Sequence, residues 1–391
     1  MMENAATQIT QAVCDLVPMI QSRSSEIETA RRLPPDVLHA LTEAGCFRML
    51  TPRSHGGDEI DLLTSIEILE MLAAADGATG WTVMIGCETA QLLSLLPRKT
   101  FDSIYADDPN VIIGGGFAPQ GEAQVVDGGY HVNGRWAFAS GCQHCSWLIG
   151  TCVVTENGQP RPGVAPGVPA TRTMLFRSDE VEILDTWKTS GMRGTGSHDI
   201  AVSDLFIPED RTLDLFMGQS CLPGPLFRFP ILIFSLHIAS VAIGVAQGAL
   251  DDVVAFIKTK KQRLYASASL AETPLVQFRL GHVEATLRAA RSFLHSEAKR
   301  LWQLSQDNSG QNDPRELMTR VLATDSWIAE TCAQIVDRCY TVGGGQAVYE
   351  KSPLQRRLRD IHTLTQHASL SESAFTRAGA TLVGQPVGIF F

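Results

Sequence analysis

The sequence predicts an α+β protein that is mainly helical, with one β domain between two helical ones. Apolar residues recur every three to four positions up to about residue 108, as in amphipathic helices. The period then changes to two, with more Gly, Pro and β-branched residues, and the helical spacing returns beyond about 215. The predicted units are an N-terminal α-helical domain (1–108), a middle β domain (109–215) and a C-terminal helical bundle (216–391).

Length and composition indicate a folded protein with more than one packed unit. The 391 residues exceed one comfortable hydrophobic core, and 44% hydrophobic and 19% charged residues are typical of globular chains. A net charge of -10 argues against nucleic-acid binding, which needs a positive surface. Nine cysteines without regular spacing predict reduced thiols in a cytoplasm, and the first residues lack the pattern of a secretory signal.

The N-terminal domain is predicted to begin with a helix that turns one apolar face, including Ile20 and Ile27, to the core. Pro34-Pro35 suits the start of a second helix, because proline fits the first helical position. Proline and paired glycines interrupt the pattern near residues 52–57, and another helix is predicted over 62–75.

The middle domain is predicted to consist of short strands joined by tight turns. Asp127-Gly128 and Asn133-Gly134 are turn signals between stretches of alternating apolar residues. The loop over 156–169 contains four prolines and should be exposed.

The C-terminal domain opens with an apolar stretch over 231–250 that has no Asp, Glu, Lys or Arg. Its length allows a membrane span, but His237, two serines and the lack of a second such stretch favour a buried helix packed closely through Gly244 and Gly248. Helical spacing over 280–301 and 317–335 completes an antiparallel bundle.

Near the C-terminus a glycine triplet, Gly343, Gly344 and Gly345, precedes a basic run that ends at Arg359-Asp360. Glycines let backbone amides approach a ligand, and a cationic helix suits a phosphate. The stretch 341–370 resembles the last flavin-binding segment of the acyl-CoA dehydrogenase superfamily. The resemblance implies that fold, in which the middle domain is a β-barrel and the last domain a four-helix bundle, and a flavin bound by the three glycines.

A second resemblance lies over 129–147, in a GRWxFxSG pattern typical of the oxygen-activating branch of the superfamily. It implies that Trp136, Phe138 and Ser140 contact the flavin and that the Ser140 hydroxyl reaches the N5 region. A hydroxyl there can bond to a protonated reduced flavin. A serine that merely caps a strand end is the alternative.

A third resemblance, over 187–199 (WKTSGMRGTGSHD), places Arg193 near the flavin, where it and neighbouring glycine amides could form an anion nest. Arg193 could equally hold two domains together. In relatives, an arginine and a glutamine matching Arg263 and Gln277 reach the flavin of a neighbouring subunit, which implies an oligomer, expected to be a homotetramer. The alternative for Arg263 is a solvated helix end.

The branch of the superfamily is indicated by the helix after Asp360. Dehydrogenases of this fold place their catalytic base eight residues beyond that aspartate, where this chain has Ala368, and the apolar helix over 231–250 has no carboxylate to replace it. His367 instead matches the histidine of flavin monooxygenases that take reduced flavin from a separate reductase. An imidazole can donate or accept a proton near neutral pH. A satisfied core histidine is the alternative.

No metal site is predicted. Cys142 and Cys145 form a single C-x-x-C without a second pair, and His362 lies about 140° around the helix from His367, at ~100° per residue.

The resemblance therefore implies the oxygenase component of a two-component flavin monooxygenase, which uses reduced FMN or FAD and O2 to form a C4a-hydroperoxyflavin and oxygenate an aromatic, polyketide or amine substrate. Related phenol hydroxylases carry a substrate-side histidine after the residues matching Gly80-Trp81, where this chain offers only Cys87, Glu88 and Thr89, which argues against a simple phenol as substrate. Cys87 and Glu88 are the candidate substrate contacts. A dehydrogenase or oxidase with a relocated base, for which Glu88 is the nearest candidate, and a non-catalytic flavin-fold scaffold are the alternatives. No membrane or nucleic-acid partner is expected.

Overall fold

The computed structural model describes residues 2–165, 167–215, 217–259, 269–307 and 313–387. Helices, strands and helices follow one another in the predicted order. The helices are α1 (Met2–Ala30), α2 (Pro35–Glu43), α3 (Leu62–Ala75), α4 (Gly77–Cys87), α5 (Thr89–Leu93), α6 (Arg98–Ile104), α7 (Pro230–Thr259), α8 (Pro274–Gln306), α9 (Pro314–Gly343), α10 (Pro353–Leu364) and α11 (Ser373–Leu382). The strands are β1 (Ile113–Val126), β2 (Gly129–Ala139), β3 (Trp147–Glu156), β4 (Gln159–Pro160), β5 (Thr171–Arg177), β6 (Glu182–Leu184), β7 (His198–Pro208) and β8 (Thr212–Leu213).

The N-terminal helices begin where local chemistry favours it. Pro35 occupies the first turn of α2, as predicted, and α3 has the predicted bounds. The Asp61 side chain caps α3 by accepting a hydrogen bond from the Thr64 amide at 3.0 Å. Ile20 and Ile27 of α1 are fully buried, which confirms the predicted apolar face.

The long apolar helix α7 is a core helix of the protein. It is long and apolar enough to cross a membrane, yet 83% of its most apolar stretch is buried inside the fold. A Cβ on Gly244 would lie 2.5 Å from the carbonyl oxygen of Glu70, and one on Gly248 would lie 2.5 Å from that of Ala74. The predicted close packing through these two glycines is therefore confirmed, and its partner is α3.

The described strands form one sheet in the order β6-β7-β2-β1-β3-β5-β8, with β4 on β3. Only β1 and β3 pair in parallel; the other recorded pairs are antiparallel. Because β6 and β8 do not pair, the described sheet is not closed by hydrogen bonds as the expected barrel would be. One face has its own apolar core around Trp136, and the other face joins the main core through residues such as Ile149.

The C-terminal bundle of α7, α8, α9 and α10 is confirmed. Its apolar residues belong to one continuous core with those of α1 to α6. The division at 108 and 215 falls between α6 and β1 and between β8 and α7, but it remains an interpretation, because the two helical parts do not have separate cores.

Helix α10 holds these parts together through arginines. Arg357 is buried and donates hydrogen bonds of 2.6 to 3.3 Å to the last carbonyls of α3, at residues 73–75, and one of 3.1 Å to Asp252 of α7. Arg359 donates to Glu28 of α1 at 2.6 Å. The basic run was expected to suit a phosphate, whereas these two guanidinium groups bind protein atoms.

Candidate active site

Aromatic side chains from β1, α4, α7 and the turn after α10 pack together next to the end of β2, and the space beside this cluster is called the cleft below. The Trp81 and His367 rings are 5.5 Å apart between centroids, and the His367 and Phe234 rings are 6.1 Å apart. Phe117 of β1 packs on Phe234 at 5.6 Å. Trp81 also donates its indole N–H to Ser140 Oγ at 3.1 Å. The structure thus brings together Ser140 and His367, which are 227 positions apart in the sequence.

An irregular strand end presents Ser140 to this cleft. The pairing of β2 with β7 shifts between Trp136 and Ala139, and Phe138 and Gly141 have φ values of 66° and 69°. The positive φ at Phe138 is unusual for an aromatic residue and turns the chain out of the regular pleat. Ser140 itself is 7% exposed, so only a small part of its surface faces the cleft.

Three hydroxyl groups are linked behind the cleft. Ser140 Oγ lies 2.7 Å from Ser197 Oγ, which lies 2.6 Å from Thr195 Oγ1. Thr195 Oγ1 donates to the Met192 carbonyl at 2.8 Å. The last three residues belong to the turn before β7, so that turn connects directly to the Ser140 hydroxyl.

The imidazole of His367 is neutral. Burial lowers its pKa to about 4, and Nδ1 accepts a hydrogen bond from the Ser369 amide at 3.3 Å. A neutral imidazole that accepts at Nδ1 carries its proton at Nε2. The expected change between neutral and cationic forms near neutral pH is therefore not supported, and His367 offers one N–H donor.

Most side chains of helix α4 and of the residues that continue it are buried, but a stripe along one face keeps some exposed surface. Residual exposure occurs at Trp81, Ile85, Glu88 and Leu92, at the i, i+4, i+7 and i+11 spacing of one helix face. Trp81 heads this stripe and contacts Ser140. Glu88 lies seven residues further along the stripe and is 7% exposed, and its contact with a substrate stays a prediction.

Glu88 belongs to a buried polar group that sequence reasoning missed. Its Oε1 is hydrogen-bonded to His237 Nδ1, and His237 Nε2 lies 2.8 Å from Ser65 Oγ. His237 and Ser65 are fully buried, and burial raises the pKa of Glu88 while His237 opposes that change. A lone His in the otherwise uncharged stretch 231–250 was the only available signal, and nothing local pairs it with Glu88.

Cys87 and Trp136, two other predicted site residues, face away from the cleft. Cys87 is fully buried, its Sγ donates to the Met84 carbonyl, and burial raises the pKa of the thiol well above its usual value. Trp136 is also fully buried in the sheet core and donates to the Thr151 carbonyl at 2.7 Å. Direct contact with substrate or flavin is thus not supported for either side chain, and Trp136 instead fixes the strand that carries Ser140.

Phe138 and Trp187 offer an accessible aromatic surface on the other side of Ser140. Phe138 is 70% exposed, and its ring lies 6.1 Å from that of Trp187. An exposed aromatic ring beside a reactive hydroxyl suits contact with a flat apolar ligand.

The turn containing Arg193 is anchored from beneath by Asp360. The Asp360 carboxylate accepts a hydrogen bond from the Met192 amide at 2.6 Å. Burial and, next, the charge of Asp76 raise the pKa of Asp360 to about 7. Arg193 Nε is buried and has no hydrogen-bond partner among the residues that the structure describes. An unpaired guanidinium donor is costly in a protein interior. Because this Nε is buried, contact of Arg193 with a flavin stays a prediction.

The glycine triplet ends α9 beside open space. Gly344 has a φ of 58°, and a Cβ on Gly344 or Gly345 would meet no described atom within 4 Å, whereas one on Gly343 would clash with Leu354. Gln277 of α8 is exposed and donates to the Ala271 carbonyl at 2.9 Å. The predicted cofactor contact Arg263 lies outside the described residues.

These residues fit a reduced flavin better than they fit dehydrogenase chemistry. Ser140 offers a hydroxyl group and Phe138 an aromatic surface. The unpaired Arg193 Nε is a hydrogen-bond donor for an anion, and the glycines leave space for a ligand. Ala368 cannot serve as a base, and the Glu88 carboxyl is bonded to His237. An acid–base role for Glu88 in a relocated dehydrogenase site is therefore not favoured.

Comparison with known proteins agrees with this interpretation. The N-terminal and C-terminal domain families of acyl-CoA dehydrogenase match residues 6–96 and 236–372. The chain is 30% identical to an indole-3-acetate monooxygenase of Pseudomonas putida, over 93% of this chain and 91% of that protein. It is also 30% identical to the flavin-dependent monooxygenase oxygenase subunit HsaA of Rhodococcus jostii, over 95% and 97%. The structure of XiaF from Streptomyces sp., in complex with FADH2 and glycerol, is similar with a TM-score of 0.91 at 25% identity, over 99% and 98%.

Proposed function

The chain belongs to the acyl-CoA dehydrogenase superfamily and is the oxygenase component of a flavin-dependent monooxygenase, and on this premise we propose that it hydroxylates an aromatic substrate in the cleft between Ser140, His367 and Glu88. The observation that carries the proposal is the convergence of Ser140 and His367 on Trp81, beside the ring of Phe234.

A bound reduced flavin would supply the two electrons with which O2 is activated, so that one oxygen atom enters the substrate and the other leaves as water. In this proposal the Ser140 hydroxyl meets the N5 edge of the ring and Phe138 contacts its face. Arg193 and the backbone at Gly343, Gly344 and Gly345 bind its polar parts. Arg263 and Gln277, from a second copy in a homotetramer, complete the site.

His367 has a defined part in this site. Its neutral imidazole holds a proton at Nε2, and its ring lies beside those of Trp81 and Phe234. We propose that this proton is donated to an oxygen atom in the cleft. A neutral donor also stabilises developing negative charge without first having to gain a proton.

Glu88 is proposed to recognise a hydrogen-bond donor of the substrate. Ser65 Oγ donates to the Leu62 carbonyl at 2.8 Å, so it must accept from His237 Nε2–H. One further proton is then shared between His237 Nδ1 and Glu88 Oε1. Whichever of the two atoms holds it, Glu88 Oε2 remains an acceptor. The cleft therefore suits an aromatic ring that carries a hydrogen-bond donor, such as the N–H of an indole.

This recognition is tested by comparing indole with benzothiophene, a ring of similar shape that lacks the N–H. Wild type should favour indole by about tenfold in dissociation constant, because an analogue without the donor leaves a buried acceptor unpaired. Glu88→Leu should remove the preference. Glu88→Gln should keep it, because its amide can donate to His237 while its oxygen faces the cleft. A preference that survives in Glu88→Leu would contradict the assignment.

The partners follow from the chemistry and the relatives. An oxygenase subunit of this kind receives reduced flavin from a separate reductase, and we propose such a partner here. The nine cysteines are all free, which supports the proposed cytoplasmic location.

The function is tested by anaerobic binding of reduced FMN or reduced FAD, followed by rapid mixing with oxygen. The bound flavin should return to its oxidised spectrum much more slowly than free reduced flavin, and His367→Ala should shorten this delay. If reduced flavin does not bind, or oxidises as it does in free solution, the oxygenase reaction proposed for this cleft is wrong.

A further inference from the structure

We infer that Ser197 and Thr195 are positioning residues that force the Ser140 hydroxyl to act as a hydrogen-bond acceptor, and that this makes the site select flavin with a protonated N5. The inference rests on the proposed placement of flavin N5 at Ser140. It adds two residues and a physical basis for discrimination between the reduced and the oxidised cofactor.

The direction of each hydrogen bond in the hydroxyl chain follows from counting protons. A serine or threonine hydroxyl has one proton to donate, and a carbonyl can only accept. Thr195 Oγ1 donates its proton to the Met192 carbonyl at 2.8 Å. Thr195 Oγ1 must therefore accept from Ser197, at 2.6 Å. Ser197 has then used its proton, so it must accept from Ser140, at 2.7 Å.

The other contact of Ser140 is also fixed. An indole N–H can only donate, so Trp81 Nε1 gives its proton to Ser140 Oγ at 3.1 Å. Ser140 thus donates to Ser197, accepts from Trp81 and retains one lone pair. Ser140, Ser197 and Thr195 are 7%, 4% and 2% exposed, so little water competes for these bonds.

A remaining lone pair distinguishes the two redox states of a flavin. N5 of reduced flavin carries a proton and donates to such an acceptor, whereas N5 of oxidised flavin is itself an acceptor. Two acceptors facing each other in a buried site leave both unsatisfied, which is unfavourable. The hydroxyl chain therefore favours reduced flavin on arrival and favours release of oxidised flavin after the reaction.

The hydroxyl chain ends at the Met192 carbonyl, and other hydrogen bonds hold Met192 in place. Met192 lies in the left-handed region with a φ of 50°, and its amide donates to the Asp360 carboxylate. Its carbonyl accepts from Trp187 Nε1 at 3.0 Å as well as from Thr195. With these bonds in place, that carbonyl is a fixed acceptor at the end of the hydroxyl chain.

The test measures dissociation constants of oxidised and reduced FMN and FAD by anaerobic equilibrium dialysis. Ser197→Ala removes the acceptor for the Ser140 proton, and Thr195→Val frees the Ser197 proton to reverse the chain. In each variant the ratio of the dissociation constant of oxidised flavin to that of reduced flavin should fall by about tenfold, chiefly because oxidised flavin binds more tightly. Thr195→Ser keeps the hydroxyl and should behave as wild type.

A double substitution separates positioning from a structural effect. In a Ser140→Ala background, Ser197→Ala should leave the ratio unchanged, because no hydroxyl remains to be oriented. An unchanged ratio in both Ser197→Ala and Thr195→Val, or an equal change with and without Ser140, would overturn the inference. Wild type that binds no reduced flavin would instead refute the proposed function. Because the two single variants alter different residues, either one alone carries the test if the other does not fold.

Discussion

Replacement of Asp360 by Asn should make the protein more stable at neutral pH, and the gain should depend on pH. Burial and the charge of Asp76 raise the pKa of Asp360 from 3.8 to about 7. Between these values the unfolded chain has lost the proton while the folded protein still holds it, so the wild type loses stability as the pH rises. A shift of roughly three pH units at about 1.4 kcal/mol each corresponds to about 4 kcal/mol of unfolding free energy at pH 7 and none near pH 4.

Asn cannot ionise, yet its carbonyl oxygen can still accept from the Met192 amide. Urea unfolding of both proteins, at one protein concentration and at several pH values from about 4.5 to 8, gives the difference in unfolding free energy at each pH. That difference should grow with pH and level off near 7, and other titrating groups cancel because both proteins share them. Removal of the Asp76 charge lowers the folded pKa of Asp360, so in an Asp76→Asn background the difference should level off at a lower pH and at a smaller value. A difference that stays constant with pH would refute this account of Asp360.

Two further outcomes follow from the same structure. Gly244→Ala should lower the unfolding free energy by about 1–3 kcal/mol, because the new methyl group would meet the Glu70 carbonyl. Gly281→Ala on α8 should raise it by roughly 0.5–1 kcal/mol, because no described atom lies within 4 Å of the new methyl group. Thermal melts of the two variants and the wild type measure these changes. The oxygenation rate of the wild type should show no pH-dependent transition due to His367 between about pH 6 and 8, because a pKa of about 4 keeps its imidazole neutral. Stopped-flow rates of wild type and His367→Ala over this pH range measure it. A transition that is present in the wild type and absent in His367→Ala would contradict this prediction.

The sequence by itself determined the order of elements and indicated several candidate site residues. Apolar periodicity is a local property, so the helices, the strands and the bounds of α3 could be predicted from it. The strand-end Ser140 and the His367 that stands beside Ala368 lie within continuous motifs, which is why both were found and why the oxygenase branch was preferred. Exposed Phe138 and fully buried Trp136 belong to the same motif, and only the packing of the sheet separates their roles.

The tertiary structure alone decided which distant groups share protons. Glu88 and His237 are on different helices, and their hydrogen bond exists because α4 and α7 pack side by side. Ser140 follows the end of β2, and Thr195 and Ser197 precede the start of β7, at the same end of this antiparallel pair, so their order as donors and acceptors becomes visible only when all contacts are known. Burial likewise sets the protonation of His367 and Asp360, because removal of water penalises a charge by an amount that no local sequence pattern records.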